Sequence, residues 1–253
     1  MKKHIPNTLT CCNLISGCIA TYFAFQGAFS YALTFIIIGA VFDFFDGFSA
    51  RLLHVSSPVG KELDSLADDV TFGFAPSAIV FSLLSALLKP ASGACCPIGS
   101  VFGNVYVCQY LPYVAFIIAA FSALRLAKFN LDERQSTSFI GLPTPANALF
   151  WAAIAVELSN GDVLVPGNVR LALLLLVGIA LSSWLLVAEI PMFALKFKSF
   201  AWTDNKLRYS FIAFSAVLLV TLGWIGFSAI IVWYILISLA NNWFGTKVAN
   251  KGK

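Results

Sequence analysis

Apolar runs of about 20 residues fill this chain almost from end to end, and such runs leave a polypeptide few options. A bilayer offers no hydrogen-bond partners, so every crossing segment has to satisfy its own backbone, which a helix does. About eight runs qualify, near residues 11–28, 30–53, 62–88, 105–129, 145–159, 168–195, 207–223 and 226–244, the fifth being the shortest. Composition agrees: 59% of the residues are apolar and 11% charged, against about 25% charged in soluble domains. The expected fold is therefore all-α, a polytopic transmembrane helix bundle. No linker or low-complexity stretch divides it, so 1–253 reads as a single integral membrane domain. The basic start MKKHIPNTLT is not followed by a small-residue cleavage site and is not read as a removable signal peptide.

Charge orients the bundle. Eight spans place both termini on one side. If that side is the cytoplasm, all but Lys89 and Arg170 of the 16 Lys and Arg lie inside, as the positive-inside rule requires. Tyr106, Tyr110, Tyr113 and Trp224 fall near outer ends, and Trp202 and Trp243 near inner ends, where interfacial aromatics belong. The expected location is the cytoplasmic membrane, multi-pass, with the lipid bilayer as partner. A net charge of +4 distributed this way is no nucleic-acid signature. Six cysteines, Cys11, Cys12, Cys18, Cys95, Cys96 and Cys108, show neither CxxC spacing nor paired histidines. Most read as small buried apolar residues, with a disulfide open at Cys95 and Cys96 in an outer loop. No internal repeat is evident, which disfavours an inverted-repeat transporter.

Against this background stand four aspartates in one window, VFDFFDGFSARLLHVSSPVGKELDSLADDV. A carboxylate near hydrocarbon costs about 2.5 to 3.5 kcal/mol on insertion scales, so four need compensation. Asp43, Asp46, Gly47 and Ala50 have the i, i+3, i+4, i+7 spacing of one helix face. Gly60, Asp64 and Asp68 form a second stripe on the next helix, after a short turn containing Ser56, Ser57 and Pro58. Facing stripes give an acidic cluster lined by small residues, which let a ligand approach closely. Clustered hard oxygens suit Mg2+ or Mn2+, and two such ions clamp both oxygens of a phosphoryl displacement. Arg51 could hold a phosphate bidentately. A carboxylate facing the substrate could take a proton from an attacking hydroxyl. Asp69, about 140° from the centre of the second stripe at 100° per residue, reads as structural or solvated. A local Asp46–Arg51 ion pair is the bland alternative.

The pattern from Asp43 to Asp68, D-x2-D-G-x2-A-R, eight residues, G-x3-D-x3-D, resembles the signature of the CDP-alcohol phosphatidyltransferase family. The resemblance implies a core of six transmembrane helices with the site facing the cytoplasm, and leaves the helices of about 200–246 less recognisable. It implies that Asp43, Asp46 and Asp64 are metal ligands for two Mg2+ or Mn2+ ions. Asp68 becomes the catalytic base, also touching metal, and Gly47, Ala50, Arg51 and Gly60 become donor-binding positions. The opening with Pro6, Asn7, Thr10 and Asn13, the segment ALRLAKFN and the segment FIGLPTPANA resemble the branch of the family that moves a phosphatidyl group from CDP-diacylglycerol to L-serine. It also implies a homodimer. Asn7, Thr10 and Asn13 either cap the first helix or line the nucleotide pocket. Arg125 and Lys128 either anchor the inner interface or, as acceptor-binding residues, hold the serine carboxylate. Gly141 to Pro145 reads as a loop re-entering the fifth helix, with proline in its first turn. His4 and His54 read as interfacial residues.

Two other readings follow from the same residues. A sister enzyme using glycerol 3-phosphate, inositol phosphate or another alcohol would want a larger basic pocket. A cation transporter would spread its acids across the membrane depth, whereas these gather at one end beside a repelling Arg51.

Overall fold

The computed structural model describes residues 4–55, 57–89, 105–132, 139–161, 164–192 and 202–251. Ser56, Cys95 and Cys96, and the side chains of Tyr106, Trp202 and Trp243, lie outside that description. The described residues form a polytopic helical bundle. Helix α1 is His4–Phe25 and α2 is Phe29–Leu52. Helix α3 (Pro58–Asp68) continues through a π-helical turn, Asp69–Phe74, into α4 (Ala75–Leu88). Helix α5 (Val105–Tyr110) continues through a 3-10 turn, Leu111–Phe116, into α6 (Ile117–Leu131). Then come α7 (Thr144–Asn160), α8 (Val169–Val187), α9 (Trp202–Leu222) and α10 (Ile225–Lys251).

Among the described residues five rods are long and apolar enough to cross a bilayer: His4–Phe25, Phe29–Leu52, Pro58–Leu88, Cys108–Leu131 and Val169–Val187. Arg208–Leu222 and Ile225–Asn241 are apolar but shorter. Large apolar side chains such as Phe44, Leu174 and Val220 are exposed on the outer faces, as expected where lipid is the solvent. The fifth expected run forms α7, of 17 residues, at the short end of the lengths that span hydrocarbon. It is a central pillar of the bundle, burying Ala148, Trp151, Ala152, Ala155 and Val156. Leu149 and Phe150 on it pack against both the main core and a second apolar cluster that joins Leu142 and Met192 to the C-terminal hairpin. Gly223, at φ 59, makes that hairpin's tight turn.

The first helix begins at His4, not near residue 11. Its buried stripe, Pro6, Thr10, Asn13, Gly17, Ala20 and Ala24, has helical period but mixes polar with small side chains, so hydropathy does not register its first turns. Gly27, at φ 72, closes this helix: the Ala28 N–H reaches back to the Phe23 carbonyl at 2.9 Å, a left-handed C-terminal cap. Ser57 caps α3 by accepting from the Gly60 N–H at 2.9 Å, and Pro58 supplies the pre-set first helical residue.

The π turn has a sequence cause. Pro76 has no N–H and its ring crowds the carbonyl four residues back. Widening the turn just before it relieves that conflict, and the Ala75 N–H bonds to the Val70 carbonyl five residues earlier. The turn drives Thr71 between α1 and α2, where its hydroxyl donates to the Asn13 carbonyl at 3.0 Å. Only glycine fits opposite it. A Cβ at Gly17 would lie 2.4 Å from Thr71 Oγ1, and one at Gly39 would lie 2.6 Å from Thr71 Cγ2 and 2.9 Å from Asn13 Oδ1. Gly39→Ala is therefore expected to lower stability by about 1–3 kcal/mol, the usual cost of overpacking. Thermal unfolding in detergent checks this, and an unchanged midpoint would contradict the close packing.

Candidate active site

Helices α2 and α3 follow one another in the chain, and α1 packs along both. That arrangement brings the two acidic stripes together as their spacing suggests. Asp43, Asp64 and Asp68 each place one carboxylate oxygen within 4.8 Å of the others, all three half-buried. Asp46 lies outside this triad. It is 6% exposed, and its Oδ2 accepts a hydrogen bond from Thr10 Oγ1 at 2.7 Å. Asn13 Nδ2 donates to Asp68 Oδ1 at 3.1 Å. The polar residues of α1 thus face the acids and do not cap the helix.

Three carboxylates at such distances repel one another by about 4 kcal/mol per pair at 4 Å and an effective dielectric of 20. No basic side chain among the described residues forms an ion pair with Asp43, Asp64 or Asp46. Asp64 Oδ1 is buried and has no hydrogen-bond partner. An orphaned anionic oxygen in an all-carboxylate donor set fits a hard divalent cation, which prefers oxygen ligands. The residues present therefore suit Mg2+ or Mn2+, with Asp43, Asp64 and Asp68 as the natural holders.

A cavity of about 200 Å³ opens beside the triad. Asn7, Thr10, Asp46, Gly47, Ala50, Gly60 and Asp64 line it, so the small residues of the two stripes do face one space. Gly60 is tightly held: a Cβ there would sit 3.0 Å from Ser57 Oγ and 3.1 Å from Asn7 Oδ1. Pro6, Val55, Ser57 and Lys61 complete the wall and were not singled out as site residues from sequence. Lys61 Nζ also donates to the Asn130 carbonyl at 3.1 Å, and Asn130 Nδ2 donates to Ser65 Oγ at 2.7 Å, which ties α3 to the end of α6. Arg51 is exposed and does not line the cavity. Its Nη1 hangs over the Gly47 position at 3.7 Å from where a Cβ would be. It makes no ion pair with Asp46.

A second cavity, of about 400 Å³, lies at the ends of α6 and α8. Arg125 and Lys128 line it together with Asp132, Ile140 and the stretch from Leu186 to Glu189. Arg125 is 7% exposed, and its Nε is buried without a hydrogen-bond partner. It is near enough to Asp68 for the two charges to interact. A short antiparallel ladder shapes this end: Phe139 pairs with Met192 and Ile140 with Pro191. Gly141, at φ 77, lets the Gly-Leu-Pro loop press on α8, where a Cβ would lie 2.7 Å from the Leu186 carbonyl oxygen.

Asp69 points away from the triad, as its angular position suggests. Its Oδ1 is buried beside Gly73 and Ser122 without a partner, so it is a packed residue and not a solvated one. Asn147, fully buried on α7 with both side-chain polar atoms unpaired, was not marked as a site residue from sequence, although an amide inside an apolar helix is itself a signal. His4 and His54 are exposed and outside both cavities. Free Cys11 and Cys18 are exposed on α1 and not buried, and Cys108 is disulfide-bonded.

Comparison with known proteins bears on this geometry. Residues 3–195 match the family model for CDP-alcohol phosphatidyltransferase. The chain is 36% identical over 143 residues to a Bacillus subtilis protein named CDP-diacylglycerol–serine O-phosphatidyltransferase, covering 56% of this chain and 70% of that one. It is 31% identical over 183 residues to the Helicobacter pylori protein of the same name, covering 70% and 69%. The Saccharomyces cerevisiae protein of that name is 40% identical over 178 residues, covering 62% and 55%.

Proposed function

The chain belongs to the CDP-alcohol phosphatidyltransferase family, and from that premise we propose that it is a phosphatidylserine synthase. It transfers the phosphatidyl group of CDP-diacylglycerol to the hydroxyl of L-serine and releases CMP. The observation that carries this reading is the convergence of Asp43, Asp64 and Asp68 beside a cavity walled by Gly47, Ala50 and Gly60. Three relatives whose names specify serine as acceptor favour it over sister activities.

Asp43, Asp64 and Asp68 would hold two divalent ions, with Asp46 beside them. When bound, Mg2+ or Mn2+ supplies charge neutralisation of the diphosphate and polarisation of the phosphorus bearing the diacylglycerol. The glycines and Ala50 leave room for the CDP diphosphate to approach the helix backbones. Asn7 and Thr10 sit on the cavity wall for polar contact with the nucleotide, and Lys61 and Arg51 bring positive charge to its rim. Arg125, buried and adjacent to Asp68, holds the serine carboxylate with Lys128. Asp68, fixed by Asn13, takes the proton of the serine hydroxyl as that oxygen attacks the phosphorus in line. The bond from that phosphorus to the bridging oxygen breaks, and CMP leaves with the electron pair. No covalent enzyme intermediate is needed, since phosphoryl transfer rests on positioning and charge stabilisation.

The acids face the cytoplasm in this reading. Arg51, Lys61, Arg125 and Lys128 crowd their end of the bundle, as the positive-inside rule expects. Cys108, at the opposite end of its span, is disulfide-bonded, which suits an oxidising compartment. The single membrane domain over 1–253 and the homodimer rest on chain continuity and family membership.

The test is direct. Purified protein is given CDP-diacylglycerol with L-serine, glycerol 3-phosphate or inositol phosphate in turn, and CMP and lipid products are followed. Phosphatidylserine formation with serine alone is expected. Turnover only with a phosphorylated alcohol would make this a sister enzyme, and metal flux without CMP release would make it a transporter.

A further inference from the structure

We propose that the cavity at the ends of α6 and α8 is a zwitterion site, in which Glu189 binds the ammonium group of the acceptor amino acid while Arg125 and Lys128 take its carboxylate. The proposal deepens the serine reading and rests on it. It adds the residue by which the enzyme recognises an amino acid and not merely an anion.

Both signs of charge line one space of about 400 Å³. Arg125 is the anchor. A guanidinium 7% exposed whose buried Nε lacks a hydrogen-bond partner has a donor left to offer, because buried polar groups are ordinarily hydrogen-bonded. Its planar fork is shaped for a carboxylate. Lys128, one turn further along α6, adds a second cation to the same wall. Glu189, exposed on the lining of the same cavity, follows directly on the C-terminal end of α8, after Ala188. An acid is unfavourable at that position for the helix itself, since the helix C-terminus is already the negative end of the macrodipole. Glu189 and the end of α8 together make a negative spot, and a small cation is what complements it. Asp132 also lines this cavity.

The arrangement discriminates. A phosphorylated alcohol brings a dianion and no cation, so it meets attraction from Arg125 and Lys128 and repulsion from Glu189. Serine brings one charge of each sign. With its carboxylate on Arg125 its hydroxyl is delivered towards Asp68, with which Arg125 interacts. The two cavities would then load the reaction from separate sides, the nucleotide lipid beside Gly47 and Gly60 and the amino acid beside Arg125.

The experiment uses the full chain in detergent micelles with CDP-diacylglycerol. Glu189→Gln is expected to raise the KM for L-serine by about 10-fold or more, the scale of a lost charge-assisted hydrogen bond, with a smaller change in kcat and none in the KM for CDP-diacylglycerol. 3-Hydroxypropanoate, which is serine without its ammonium group, supplies the second readout. The wild type is expected to prefer serine strongly, and Glu189→Gln to narrow that preference by lowering serine kcat/KM alone. Glu189→Asp, which keeps the charge on a shorter arm, is expected to fall between. An unchanged serine KM in Glu189→Gln, or an equal fall for both acceptors, overturns the proposal while leaving the serine reading intact. A wild type that turns over glycerol 3-phosphate but not serine overturns both.

Discussion

Asp68→Asn is expected to lower kcat by about 10²- to 10⁴-fold, the range for removing a general base, while CDP-diacylglycerol is still bound. The substitution preserves shape. The new amide oxygen can still accept the bond from Asn13 Nδ2, which is 3.1 Å from Asp68 Oδ1, so the α1–α3 contact survives. Lost are the negative charge and the capacity to take a proton. Asp43 and Asp64 remain to hold the metal that the donor diphosphate needs, which is why binding and turnover are expected to part. Parallel measurement of CMP release and donor affinity checks this. Full turnover in the variant would reject Asp68 as the base.

Asp64→Asn is expected to have the other large effect, on the metal and through it on the reaction. Its orphaned Oδ1 and its place in the triad mark it as a ligand with no other structural employment. Even residues that only support metal ligands cost 10- to 100-fold when removed, so loss of the ligand itself should weaken metal affinity by about 100-fold or more. Chelation of the wild type should stop turnover, and Mg2+ or Mn2+ should restore it at far lower concentration than in Asp64→Asn. Stability moves the other way. With metal removed, the variant has one fewer like charge in the cluster, and relief of that repulsion should leave its thermal midpoint equal to or above that of the wild type. A variant that is merely misfolded would lose both.

Much of the triad was legible because helical period is simple arithmetic: acids three and four residues apart on two helices with a short turn between them have little choice but to face one another. The same arithmetic placed Asp69 outside. It could not foresee the π turn, because 100° per residue presumes an α-helix; the clue was Pro76, which lacks the N–H that an ordinary turn would use. Thr71 and its two glycine partners follow from that one irregularity. The start of α1 was hidden for a different reason. Asn7, Thr10 and Asn13 lower the hydropathy of the turns that face the acids, so the apolar run registers only from about residue 11. Arg51 was expected in the donor cavity from the signature, but its long side chain lies outside it. Glu189 was not singled out from sequence, because only the fold shows that the ends of α6 and α8 line one cavity.

The central claim is that acids from two adjoining helices cage divalent ions, and manganese reports on it most directly. Protein prepared with Mn2+ and CDP-diacylglycerol should show anomalous scattering between Asp43, Asp64 and Asp68, at the roughly 2.0–2.2 Å ligand distances of a hard cation, and the signal should vanish in Asp64→Asn. Manganese bound elsewhere, or bound equally well without the Asp64 carboxylate, would contradict the account.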